Sequence, residues 1–197
     1  MKETAQRAAL VTLVAGGIVV AALALPACNG SLETGRAIET VGPTSEPDAR
    51  IVAIYSTIIR QLITKDHTFG DEESPFDRVF IDVRIDGGAG DPDASPPTGA
   101  TLSAEDQAAI LRELADLPTV KFVENPDSVI VGKNRCPHVK GNGVLITLGP
   151  ISGDSERVTV PNDMFFACLG GQWLTYVLDN EEGHWRVTGT EGGIGIS

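Results

Sequence analysis

Residues 165–189, FFACLGGQWLTYVLDNEEGHWRVTG, constrain the fold of this chain more than any other stretch. Trp173, Thr175 and Val177 alternate with Leu174, Tyr176 and Leu178, which is the two-residue period of a half-buried strand. Asp179, Asn180 and Gly183 supply a reversal, because Asn and Gly tolerate the backbone angles of a tight turn. Trp185 and Val187 resume the alternation on a return strand. Both tryptophans fall in this hairpin, and large aromatics dominate burial in a small domain. The hairpin is therefore expected to form the floor of the core.

The rest of the chain supplies layers to set against it. Ser45 is a candidate helix cap, with Pro47 in the first turn and Asp48 three residues on. Ile51, Ile54, Tyr55, Ile58 and Leu62 then form one apolar stripe, widened by Val52, Ile59 and Ile63, and the helix is expected to stop near Lys65. A strand follows over Arg78–Ile85, with Val79, Ile81, Val83 and Ile85 on one face. Residues 86–100, DGGAGDPDASPPTGA, read as an exposed acidic loop. Asp86, Asp91 and Asp93 lack the spacing and closing glutamate of a calcium loop. Ser103 caps a second helix, with Asp106 in the place of a capping-box glutamate and Pro118 as its stop. Short strands are expected at 121–123, 128–131, Gly143–Leu148 and 157–160. The fold class is α+β: an antiparallel sheet, as a meander, with two helices packed on one face.

Before the domain comes a leader. Lys2 and Arg7 precede an apolar run over 8–25, and the run ends in Leu25-Pro26-Ala27-Cys28. These four residues resemble a bacterial lipobox. The resemblance implies cleavage before Cys28, a diacylglyceryl thioether on its sulfur and acylation of the new N-terminus. Three other readings stay open: an uncleaved anchor, since the run is just long enough to span a bilayer; ordinary cleavage after Ala22-Leu23-Ala24; and a merely structural Cys28. The division is thus 1–27 signal peptide, 28–46 lipidated cysteine and Gly/Pro/Ser-rich tether, and 47–197 a single globular domain. Each of the leader readings puts the domain outside the cytoplasm, and the lipobox reading fastens it to a membrane through several acyl chains.

Charge excludes one class of partner. The chain carries −12 at neutral pH, and no basic run follows the leader, so nucleic acid phosphates are repelled. With Cys28 lipidated, Cys136 and Cys168 remain as a pair in an oxidising compartment and are read as a disulfide. Closing that loop stabilises by about 3.7 kcal/mol on the chain-entropy account. The competing uses are a Cys136–His138 nucleophile, or a zinc site drawing on Cys136, His138, Cys168 and one of His67 or His184. The first lacks a marked orienting carboxylate and the second competes with the disulfide. No G-x-S-x-G, H-E-x-x-H, P-loop or dinucleotide fingerprint occurs, and neither metal nor cofactor is expected.

Three further segments carry a resemblance: His67-Thr68-Phe69-Gly70, the run Gly143-Val144-Leu145-Ile146-Thr147-Leu148-Gly149, and Thr175-Tyr176-Val177-Leu178 with Trp185-Arg186-Val187-Thr188-Gly189. With these the domain resembles uncharacterised bacterial envelope lipoproteins, which implies a location and no activity. Helix-on-sheet layering is also similar to cystatin-like and NTF2-like domains, an analogy that transfers no function. Two functions are set against each other. One is a non-catalytic binding or accessory module on a lipid anchor, with an envelope protein or polymer as its partner. The other is a small-ligand receptor or minor enzyme with a pocket between helices and sheet, for which Tyr55, His67 and Tyr176 are the candidate residues.

Overall fold

Two helix starts and one carboxylate set the frame of the domain. The computed structural model describes residues 45–70, 75–94, 99–132 and 134–197, all within one unit that spans Val41–Ser197. The leader, Cys28 and the tether up to residue 44 lie outside the described residues. Among the described residues no helix is long and apolar enough to cross a membrane.

Helix α1 (Ala49–Thr64) begins at Asp48, whose side chain accepts the main-chain N–H groups of Arg50 and Ile51. The expected cap at Ser45 gives way because Asp48 is itself a strong cap and Pro47 stands just outside the helix. Helix α2 (Ala104–Glu113) is capped by Ser103 as expected, with Asp106 N–H donating to Ser103 Oγ at 3.0 Å. Asp106 is buried, and its two oxygens serve both helices. Oδ2 accepts the Ser103 hydroxyl at 2.6 Å, and Oδ1 accepts the Asp48 main-chain N–H at 2.7 Å.

Nine strands form one open, mixed, mostly antiparallel sheet: β1 (Arg78–Ile85), β2 (Thr119–Val123), β3 (Ile130–Val131), β4 (His138–Val139), β5 (Gly143–Leu148), β6 (Ser152–Gly153), β7 (Arg157–Ala167), β8 (Gly170–Glu181) and β9 (His184–Ile196). The main path runs β2-β1-β5-β7-β8-β9, with β4 and β6 pairing with β7 and β3 with β4. Strand β1 is parallel to both β2 and β5, so the sheet is not wholly antiparallel. Alternation identifies a strand without fixing its partner's direction, and the long connection between β1 and β2, which holds α2, permits a parallel crossover.

Strand β7 outruns its expected end at Val160 and continues through Pro161. The Pro161 carbonyl accepts Gly149 N–H at 2.8 Å just past the end of β5. The missing proline donor points to that same side, where little ladder remains, so the pairing of Pro161 with Thr175 on β8 continues. The β8–β9 turn is tighter than expected. Glu182 and Gly183 both have positive φ, at 53° and 88°, and Asn180 Oδ1 holds Gly183 N–H at 2.9 Å.

Strand alternation sorts the core. Val79, Ile81, Val144, Ile146, Leu148, Val160, Leu174 and Leu178 share one buried cluster with the apolar stripes of α1 and α2. Phe80 and Leu145 point the other way, into a smaller cluster with Val129 and Val139. Trp185 joins the large core, whereas Trp173 is half-buried opposite Gly195, so one tryptophan of the hairpin floors the core.

Candidate functional site

The three residues expected to line a pocket are core side chains with internal partners. Tyr55, in the second turn of α1, donates its hydroxyl to the Gly149 carbonyl at 2.9 Å. Tyr176, on β8, donates to Asp66 Oδ2 at 2.6 Å. His67, next to Asp66, is buried, and its carbonyl accepts the Phe69 N–H. Tyr176 thus bonds the residue next to His67, past the C-terminal end of α1. Tyr55 acts roughly 15 Å away along the helix axis. Burial pushes both phenols far above the ordinary tyrosine range, so each remains a hydrogen-bond donor. None of the three lines the cleft between α1 and the β8–β9 hairpin.

Cys136 and Cys168 form the disulfide, with their Cα atoms 5.1 Å apart. Both sulfurs are occupied, which leaves neither a nucleophilic thiolate nor a zinc ligand there. His138 Nδ1 instead lies 3.1 Å from the Cys136 carbonyl oxygen. Among the described residues no group of three His, Cys, Asp or Glu is placed to hold a metal ion.

The disulfide clamps the β4 loop to the β7–β8 turn, and that end of the sheet is unusually apolar. Leu169, in the turn, is 84% exposed. Ile196 is 66% exposed and pairs with Gln172, three residues along β8 from the turn. Ile194 lies just before it on β9. Val131 pairs with His138, which pairs with Ala167, the last residue of β7. Phe69 reaches the same end, 4.9 Å ring to ring from Phe166. These are the exposed large apolar side chains of the described domain, and topology gathers all of them at one tip. The start of α1 lies at the opposite end, where Arg50 Nη2 donates to the Asp154 carbonyl beside the start of β7.

A polar cleft of about 490 Å³ lies between α1 and the β8–β9 hairpin. Ala53, Thr57, Arg60, Gln61 and Thr64 recur at helical spacing and make one wall, and residues 183–187 make the other. Thr57 Oγ1 lies 3.4 Å from the Trp185 carbonyl oxygen. Arg60 is held by Asp116 through two bonds of 2.7 and 2.8 Å and by the Glu113 carbonyl at 2.8 Å. That guanidinium holds the Asp116 carboxyl down at about 2. This cleft was legible only as the polar stripe opposite the apolar face of α1, since its second wall comes from a hairpin over a hundred residues later.

One ionisable group had no signal in the sequence. The Asp163 carboxylate, inside β7, accepts Gly90 N–H at 2.6 Å. Desolvation is the main cause that pushes its pKa up to about 6, against the Gly90 bond and with the nearby Asp86 and Asp91 charges adding to the rise. The acidic loop is thus less exposed than expected. Asp86 and Ala89 are buried, and Gly90, at φ 85°, sits so close that a Cβ there would meet Pro161 Cβ at 2.9 Å.

No family model matches the chain, and neither the curated proteins nor the solved structures contain a match.

Proposed function

We propose that the protein is a membrane-anchored, non-catalytic binding module of the cell envelope, fastened by lipid at Cys28, which takes an envelope protein or polymer at its apolar tip. In this reading β7, β8 and β9 form a meander, and both helices cover one face of the sheet, leaving the tip clear. The observation that carries it is the gathering of Phe69, Val131, Leu169, Ile194 and Ile196 at the disulfide-clamped end of the sheet. Large apolar side chains left exposed on one end of a fold are where interaction sites form. The disulfide suits an oxidising compartment outside the cytoplasm. The charge of −12 disfavours nucleic acid and anionic lipid as the partner.

The test is photo-crosslinking in cells, with a benzophenone amino acid at Leu169 in the full-length protein and a control probe at Arg112. A discrete adduct from position 169 alone, reduced by Cys28→Ser, is the expected result. Equal labelling from both positions, or none, would remove the tip from the proposal. Metabolic labelling with a palmitate analogue, lost in Cys28→Ser, tests the anchor separately.

A further inference from the structure

We propose that the cleft between α1 and the β8–β9 hairpin binds a small oxyanion from solution, a molecule bearing carboxylate or phosphate. The site is separate from the apolar tip and does not depend on it. Its charge runs against that of the molecule. Arg60, Lys65 and Arg186 line it with one carboxylate, Glu113, in a chain whose net charge is −12. In so acidic a protein, cations collected in one concave place mark where an anion gains most, because low-dielectric walls focus their field. The lining is rich in donors: two guanidinium groups, the Lys65 ammonium, the His184 imidazole and the Ser56 hydroxyl.

Ser56 supplies an independent observation. It belongs to the lining and is 92% buried, its relative exposure being 8%, and its hydroxyl finds no hydrogen-bond partner among the described residues. A buried hydroxyl left unpaired keeps its desolvation cost uncompensated, which a bonded ligand oxygen would relieve. Arg60 is pre-positioned by Asp116 and the Glu113 carbonyl, so its planar face is set before any ligand arrives. Arg186 pairs with Glu181 at 3.1 Å, both side chains about two-thirds exposed. Such a pair contributes little, so Arg186 can exchange its partner for a ligand. A larger groove adjoins on the far side of Lys65, where that lysine is the one cation of the lining beside two carboxylates, Asp77 and Asp116. A cleft of about 490 Å³ suits a metabolite-sized ligand. The acidity of the whole domain disfavours an anionic bilayer as the source of the phosphate.

The experiment uses the full chain carrying Trp173→Phe, which leaves Trp185, at the wall of the cleft, as the reporting fluorophore. Inorganic phosphate and citrate are titrated at constant ionic strength. A saturable change in emission is expected with at least one of them. Lys65→Gln with Arg186→Gln should weaken it at least tenfold and Ser56→Ala severalfold, while Lys121→Gln on β2 leaves it unchanged. Lys65 and Arg186 are exposed, so an unaltered melting temperature separates lost binding from lost folding. No saturable response, or one the double variant does not weaken, would overturn the proposal. Sedimentation with phosphatidylglycerol vesicles but not phosphatidylcholine, abolished by the double variant, would overturn the solution source and assign the site to a lipid headgroup.

Discussion

The hydroxyl of Tyr176, on β8, donates to Oδ2 of Asp66, the second residue past the end of α1, at 2.6 Å. Gln61 Nε2 donates to the same oxygen at 3.0 Å. One carboxylate thus ties the end of the long helix to the middle of the sheet, and burial keeps the phenol protonated beside it.

Tyr176→Phe should therefore destabilise the domain by about 1–2 kcal/mol, the cost of losing a hydrogen bond to a charged acceptor. Tyr55→Phe should cost about 1 kcal/mol through its Gly149 bond. Urea unfolding measures both. Neither change should move the oxyanion titration, since neither side chain lines the cleft; a shift in affinity without a shift in stability would return them to the site.

Asp106 holds both helix starts, so Asp106→Ala should cost more than an ordinary cap, roughly 2–3 kcal/mol. Asp106→Asn keeps one acceptor oxygen and should lose about half as much. Equal losses for the two variants in thermal unfolding would mean that the charge, not the paired acceptors, carries the effect.

Asp163 gives a dependence on pH with a definite sign. Its folded pKa of about 6 lies above the unfolded value of 3.8, so the folded chain holds the extra proton between them. Its stabilising contribution is complete below pH 3.8 and is lost as pH rises through 6. Asp163→Asn should stabilise the protein at pH 7 by roughly 1–2 kcal/mol and flatten the slope across that window. Asp116 runs oppositely. Its carboxyl is depressed to about 2 by Arg60, so its contribution is present above 3.8 and fades as pH falls towards 2. A denaturation series from pH 2 to 8 separates the two.

Removing the disulfide with Cys136→Ser and Cys168→Ser should destabilise by about 2–4 kcal/mol, most of it through the unfolded chain. Hydrogen exchange should rise around β4 and the β7–β8 turn and leave α1 unchanged. Uniform exchange over the whole domain would show that the bond supports the core rather than the tip.

Much of the fold was legible because its signals are local. The strands Arg78–Ile85 and Gly143–Leu148 end where their apolar alternation ends, and Ser103 caps α2 as its spacing requires. The start of α1 was misread by three residues, because Ser45 and Asp48 are both competent caps and only the contact with Asp106 distinguishes them. The disulfide joins the two of the three cysteines that lie within the domain, the pair expected once Cys28 was set aside. The partners of Tyr55 and Tyr176 were not legible, because a tyrosine in an apolar stripe looks alike whether it faces a ligand or a core acceptor such as Asp66 or the Gly149 carbonyl.

Sequence alone determined the two helices, the strands Arg78–Ile85 and Gly143–Leu148 and the acidic balance, since each follows from periodicity or composition along the chain. Tertiary structure alone decided that β1 lies parallel to its neighbours, that the half-buried Asp163 accepts a bond from Gly90 in the 86–94 loop, and that Ser56, Arg60 and Arg186 line one cleft. Those outcomes depend on residues from 41 positions apart, as Arg78 and Thr119 are, to 128, as Thr57 and Trp185 are, and distance in space, not order in the chain, sets their desolvation and their fields.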